Sequence, residues 1–282
     1  MSTDTPKESL LVFSDVHLGS DLNDRAVMRI RRSSRIDRDL VHFLDHYRDA
    51  PEGADRWRVV IAGDFIDFIG MSVDALPSDA LATPLDEEER EHGLGNAADH
   101  ARAKLRRVAK RYRDVFEALG LMVARGHALT VVHGNHDVEF HWEEVQNDFR
   151  ALLLAAAEAS EQLAEIEADD FCARIEFNPW FFYWNGVAYI EHGHQYDPFC
   201  STDFVMAPLS PLDQRRVARG FCDVLLRYVV RPTQELREAD HETKGAIDYL
   251  VFGARLGLGG MWRLGVRFAE VVLVLFRLRR AY

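Results

Sequence analysis

Four short stretches of this 282-residue chain concentrate side chains that coordinate metals and move protons. They are Asp15-Val16-His17, Gly63-Asp64-Phe65-Ile66-Asp67, Gly134-Asn135-His136-Asp137 and His192-Gly193-His194. Carboxylates, imidazoles and an amide oxygen make a mixed oxygen and nitrogen donor set, which suits Mn, Fe, Zn or Mg better than a thiolate-seeking ion. Each stretch alone has a plainer reading. Asp15 and His17 can be a helix cap beside a surface histidine. Asp64 and Asp67 can form a turn and a helix N-terminus, where the dipole favours carboxylates, and Gly134-Asn135 can be a turn. On a strand, His192 and His194 point to one face, which suits chelation and an exposed polar face equally. Four such stretches in one chain make the plain readings less economical.

The elements around them predict how they meet. Residues 10–13 and 59–62 read as short buried strands, and the run "HALTVVHGNHD" repeats the arrangement of an apolar strand ending in polar residues. Helical patterns over 36–47 and 97–124 lie between, so strand, helix and strand imply parallel pairing in an α/β sheet. In such sheets ligands bind outside the carboxyl ends of the strands, where loops distant in sequence converge. A long acidic helix is expected over 142–169. Two aromatic runs then flank Asn185-Gly186, a type I′ hairpin signal that places His192 at a strand end. Residues 72–95, rich in Pro, Asp, Glu and Gly, read as a mobile insertion. Ser210 and Pro211 predict the start of a helix that stops before Pro232. Residues 245–282 read as helical, with Arg263, Arg267, Glu270 and Arg277 as a polar stripe on an apolar surface.

In this order, DxH, GDxxD, GNHD and a later histidine resemble the calcineurin-like metallophosphoesterase superfamily over roughly residues 10–198. "AGDFIDF" and "HGHQYD" look most like the bacterial branch that includes UDP-2,3-diacylglucosamine pyrophosphate hydrolases. The resemblance implies a four-layer α/β/β/α sandwich of two mixed sheets over residues 1–205, with a helical and loop insertion at about 70–125. Residues 206–282 would form a helical, basic and apolar C-terminal segment. It also implies two divalent ions, Mn foremost, with Fe, Zn or Mg as alternatives. Asp15 and His17 would bind the first, Asp64 would bridge, and Asn135 and His192 would bind the second. His136 would protonate the leaving oxygen or stabilise charge developing on a phosphate, Asp137 would orient His136, and Asp67 would support a ligand from behind. The activity implied is hydrolysis of a phosphate mono-, di- or pyrophosphate ester.

One departure stands out. The family pattern closes with a GHxH motif, and here Ala254 and Leu256 occupy the histidine places in "IDYLVFGARLG". Three explanations stand: His194 and His241 substitute as ligands, the site is depleted in one metal, or the closing motif lies beyond Tyr282. The abrupt apolar, Arg-rich end favours the third. The missing motif also sustains a reading from a different class, a non-catalytic scaffold on the same fold that binds a membrane or a partner.

Composition narrows the partners. A formal net charge of −12 and a pI near 5.5 argue against nucleic-acid binding through a general basic field. Three cysteines without a CxxC suggest neither a disulfide framework nor a zinc ribbon, and point to a reducing compartment. The N-terminus does not read as a signal peptide, so cytoplasmic residence is expected. Residues 251–282 hold six arginines against Glu270, a local charge of +5, without an uncharged apolar run of about 18 residues. That segment reads either as a core or oligomer-interface helix, or as an interfacial helix drawn to anionic lipid on the inner membrane face. The second reading fits a lipid-linked phosphate substrate.

Overall fold

The computed structural model describes residues 6–24, 33–160, 167–184, 186–230 and 257–281. Asn185, His241, Ala254 and Leu256 lie outside them, so the turn residue and both GHxH questions rest on sequence alone.

Four strands form a wholly parallel sheet in the order β1-β2-β3-β4: β1 Glu8–Phe13, β2 Arg56–Ala62, β3 Ala128–Val132 and β4 Ile175–Asn178. Sequential order with right-handed crossovers puts the connecting helices on one face. The core agrees. Leu11, Val59, Ile61, Leu129 and Val131 alternate along their strands and share one buried cluster with Leu44, Phe116, Leu119, Phe149 and Leu153. Those helical residues belong to α1 (Ser34–His46), α4 (Arg113–Ala124) and α5 (Glu143–Glu158). The other sheet face carries Arg58, which pairs with Glu8 at 2.6 Å and Glu176 at 3.0 Å. Its guanidinium lies 5.5 Å from the Phe182 ring. Phe182 belongs to a separate antiparallel hairpin, β5 Phe181–Trp184 with β6 Ala188–Glu191. Neither described sheet is mixed, which differs from the expected pair of mixed sheets.

Several predicted elements shift. The helix expected over 97–124 is two, α3 (Ala98–Arg111) and α4, broken at Tyr112 where the chain turns out of helical geometry. These helices are the crossover between β2 and β3, and Leu105, Val108 and Phe116 pack into the main core rather than into an insertion. The acidic helix is represented by α5 and by α6 (Ala168–Ala173), with residues 161–166 outside the described set. Residues 72–95 are packed rather than loose. Val73 and Leu94 are buried, α2 (Glu87–His92) opens with a capping box from Asp86, and Glu89 is buried within it.

The helix predicted from Ser210 starts only at Phe221, as α7 (Phe221–Leu225), which runs into a π-helical turn over Leu226–Val230. Residues 210–220 form a loop instead of a helix, and their arginines are claimed elsewhere. Arg216 makes two bonds to Glu89, at 2.9 and 2.7 Å, and Arg219 reaches Glu88 at 3.1 Å. Bridges from Ala97 to Arg216 and from Leu209 to Val217 fasten the loop. A final helix, α8 (Gly257–Ala281), lays Phe268, Val271 and Leu275 against Val224, Leu226 and Val229. Its other side exposes Trp262, Val266, Val272, Leu273 and Phe276. Among the described residues no helix is long and apolar enough to cross a membrane.

Candidate metal centre

All four polar stretches follow strand ends on one side of the molecule, and backbone bonds lace them together. The loop after β1 continues the parallel pairing into the loop after β2: Asp15 N–H donates to Gly63 O at 3.2 Å and His17 N–H to Asp64 O at 2.9 Å. Asp137 then fastens the third loop to the second. Its Oδ2 accepts from Phe65 N–H at 2.8 Å and its Oδ1 from Gly134 N–H at 2.6 Å. The fourth stretch arrives through His192, whose Nδ1–H donates to Ala62 O at 3.0 Å.

Asp64 sits at the centre. Its Oδ2 lies 3.6 Å from His17 Nε2 and 3.2 Å from His192 Nε2, while Oδ1 accepts the His136 backbone N–H at 2.9 Å. Asp15, His17 and Asp64 present ligand atoms within 4.8 Å of one another. On the other side His192 Nε2 is 3.3 Å from Asn135 Oδ1. Because a carbonyl can only accept, the Nδ1–H bond to Ala62 turns Nε2 toward Asp64 and Asn135. One carboxylate thus stands between two donor groups, Asp15 with His17 and Asn135 with His192.

The backbone supports a functional origin for this arrangement. Among the described residues five non-glycines have positive φ, and three of them are Asp15 (56°), His17 (50°) and Asp64 (54°). Left-handed backbone costs about 1–3 kcal/mol per residue and clusters where geometry is imposed for a site. Gly134 provides clearance as well, since a Cβ there would lie 2.0 Å from Asp64 Oδ1.

Electrostatics couple the same groups. Burial opposes the Asp64 carboxylate, but the His192 hydrogen bond and the charges of His136, His192 and His17 outweigh it and hold Asp64 down to about 2. Burial likewise opposes the His192 imidazolium, and Asp64 overcomes it, lifting His192 to about 9. A divalent ion held by these side chains would compete with that proton. Asp137, fully enclosed and near Asp64, is pushed up to about 7 by burial and then by the Asp64 charge.

Two expected roles change. His136 Nδ1 bonds Asp67 Oδ1 at 2.7 Å, and both Asp137 oxygens are taken by backbone N–H groups. Asp67 therefore orients His136, and Asp137 is the staple between loops. His17 and His136 meet edge to face, with ring centroids 4.5 Å apart, and His17, Asp67 and His136 form the second close group of ligand atoms. Neither His192 nor His194 belongs to these groups. β6 ends at Glu191 and Gly193 turns left-handed at φ 88°, and the His192 and His194 rings lie 5.4 Å apart. Burial and then the charge of His192 push His194 down to about 4, and its Nδ1 has no hydrogen-bond partner.

Sequence reasoning missed the pocket beside the centre. A cavity of about 20 Å³, wide enough for one water-sized group, is lined by Asn135, Asn96, Glu139, Cys200, Cys222 and Asp223 among others. Asn96 Oδ1 and Glu139 Oε2 are buried there without a hydrogen-bond partner. Thr202, Ala218 and Gly220 also line a wider cavity of about 590 Å³ that reaches Phe199, Phe221 and Phe276. Only Glu139, two residues past Asp137, carried any signal, and it was a weak one. Compared with models of protein families, with curated proteins and with solved structures, the chain has no match.

Proposed function

We propose that the chain is a metal-dependent phosphoesterase. The observation that carries the reading is the single buried carboxylate of Asp64, set between Asp15 with His17 and Asn135 with His192, beside a histidine oriented by its own aspartate. That donor set fits two divalent ions sharing Asp64, because neutral imidazole and amide donors limit the negative charge that a phosphate must face. Ions so held would supply Lewis acidity toward water and a phosphoryl group. His136, positioned through Nδ1 by Asp67, would deliver a proton to the leaving oxygen. The wider cavity accommodates the apolar part of a leaving group.

The calcineurin-like resemblance belongs to this reading, as does the four-layer sandwich, in which the β5-β6 hairpin would be part of the second sheet. So does peripheral attachment to an anionic membrane. The apolar side that α8 leaves exposed supports it, together with the local basic charge on an acidic body, and a lipid-linked phosphate fits that placement. A scaffold on the same framework is the second reading, favoured by the absence of GHxH from the sequence.

Metal analysis with hydrolysis of p-nitrophenyl phosphate and bis-(p-nitrophenyl) phosphate separates the two. Two equivalents of Mn, Fe or Zn, with turnover lost in His136→Ala while metal is retained, are the expected result. Absence of both metal and turnover overturns the phosphoesterase reading.

A further inference from the structure

We propose that Cys200 and Cys222 form a hydroperoxide-responsive thiol pair, whose disulfide joins the two walls of the pocket beside Asn135. Both side chains line that pocket, one from the turn after the hairpin and the other from α7. The two segments are already fastened, since Cys222 N–H donates to Phe199 O at 3.1 Å and the Phe199 and Phe221 rings pack 5.1 Å apart. Neither thiol is fully buried. Disulfide geometry tolerates only close approach, and the shared pocket and the backbone bond from Cys222 to Phe199 already hold the two segments side by side. Cys172 packs against the main core from α6, away from the pocket.

The pair is chemically asymmetric. The hydrogen bond from Cys222 lowers the pKa of the Cys200 thiol, whereas Cys222 is raised by that same bond and then by burial. Cys200 is therefore the nucleophile and Cys222 the resolving thiol. The Cys200 thiolate attacks one oxygen of a hydroperoxide, the O–O bond breaks, and an alcohol or water leaves with a proton, giving a sulfenic acid. The Cys222 sulfur then attacks that sulfenic sulfur, the S–O bond breaks, and water leaves. Two thiols are oxidised, and the hydroperoxide is reduced to an alcohol and water.

The consequence rests on the phosphoesterase reading. Thr202, Ala218 and Gly220, which join the small pocket to the wider cavity, lie on the two segments that the disulfide ties. Cross-linking fixes the passage from the cavity to Asn135, so oxidation lowers turnover and a dithiol reductant restores it.

The test titrates the full chain with hydrogen peroxide, followed by thiol counting, peptide mass analysis and hydrolysis of bis-(p-nitrophenyl) phosphate. Accessible thiols fall from three to one, a Cys200–Cys222 peptide appears, and Cys172→Ser cross-links as readily as wild type. Cys222→Ser forms no cross-link and holds Cys200 as a sulfenic acid that dimedone captures. A cross-link through Cys172, or oxidation without any cross-link, overturns the proposal. If the cross-link forms but turnover is unchanged, the control of access is refuted. A chain that forms the cross-link yet hydrolyses nothing when reduced refutes the phosphoesterase reading and leaves the thiol pair standing.

Discussion

Replacing Asp64 with asparagine tests the electrostatic core of the site without requiring a substrate. Asparagine tolerates the left-handed backbone at φ 54°, keeps an oxygen for the His136 N–H, and presents an amide to a neutral His192. What disappears is the charge. In the metal-free protein His192 is raised from its ordinary 6.5 to about 9, opposed by burial and driven first by Asp64. A raised basic group adds stability that is fully present below pH 6.5 and lost as pH climbs through 9. The span from 6.5 to about 9 corresponds to about 3 kcal/mol, whereas the span on Asp64 from 3.8 to about 2 corresponds to about 2 kcal/mol. These are one interaction seen from its two ends, so they count once. The smaller figure is the better measure of what the substitution removes, because Ala62 O and the Asp137 charge also raise His192 and survive it.

Metal-stripped wild type therefore loses about 2–3 kcal/mol between pH 6 and 9.5, while Asp64→Asn loses about 2 kcal/mol less over that range. In thermal melts the variant lies about 4–8 °C below wild type at pH 6, and the gap closes by pH 9.5. Calorimetry or circular dichroism after chelator treatment reads it. A wild-type profile that is flat from pH 6.5 to 9, or a variant profile that keeps the wild-type decline, refutes the coupling of Asp64 to His192.

Metal binding runs in the opposite direction, since the ion displaces the His192 proton. Mn affinity measured by calorimetry rises with pH toward about 9, by about tenfold per pH unit for each proton released, and a pH-independent affinity contradicts His192 as a ligand. Asp67→Asn removes the carboxylate that holds His136 Nδ1 and lowers turnover about 10–100-fold while metal content is kept; unchanged turnover shows that Asp67 does not position the histidine. Gly134→Ala drives a methyl group toward Asp64 Oδ1 and weakens Mn binding by displacing the shared carboxylate, again measurable by calorimetry. Arg216→Met leaves Glu89 buried without its two-pronged partner and lowers stability in urea by about 3–5 kcal/mol.

The strand ends that carry the polar stretches were legible in the sequence, and the contacts made within the loops were not. Asp15, Asp64 and Asn135 each follow a strand whose apolar run is written locally, and parallel pairing brings successive strand ends to one side without further information. The exchange between Asp67 and Asp137 was not legible. Both follow a ligand within three residues, and only the turn of each loop decides which carboxylate meets an imidazole and which meets backbone N–H groups. The helix expected from Ser210 was overridden at long range, by Glu88 and Glu89 more than 120 residues earlier drawing Arg216 and Arg219 into ion pairs.

The way the loops are fastened explains how strained backbone persists at Asp15, His17 and Asp64. Left to itself each would relax toward right-handed or extended geometry. The first loop cannot, because its N–H groups at Asp15 and His17 are spent on Gly63 O and Asp64 O. The second cannot, because Asp137 holds Phe65 N–H while His136 O accepts from Phe68 N–H at 3.0 Å. Asp137 has no route to solvent, and its proton affinity is raised by burial and by Asp64, so the staple is itself costly to keep charged. A divalent ion held by Asp64 would oppose the charge of the nearest carboxylate and so ease that cost. Loop order and metal loading are thus linked: Asp137→Asn, which exchanges one acceptor oxygen for a donor facing Gly134 or Phe65 N–H, loosens the loops and lowers Mn affinity although Asp137 touches no metal. Retention of wild-type affinity in that variant would show that the loops hold their geometry without the staple.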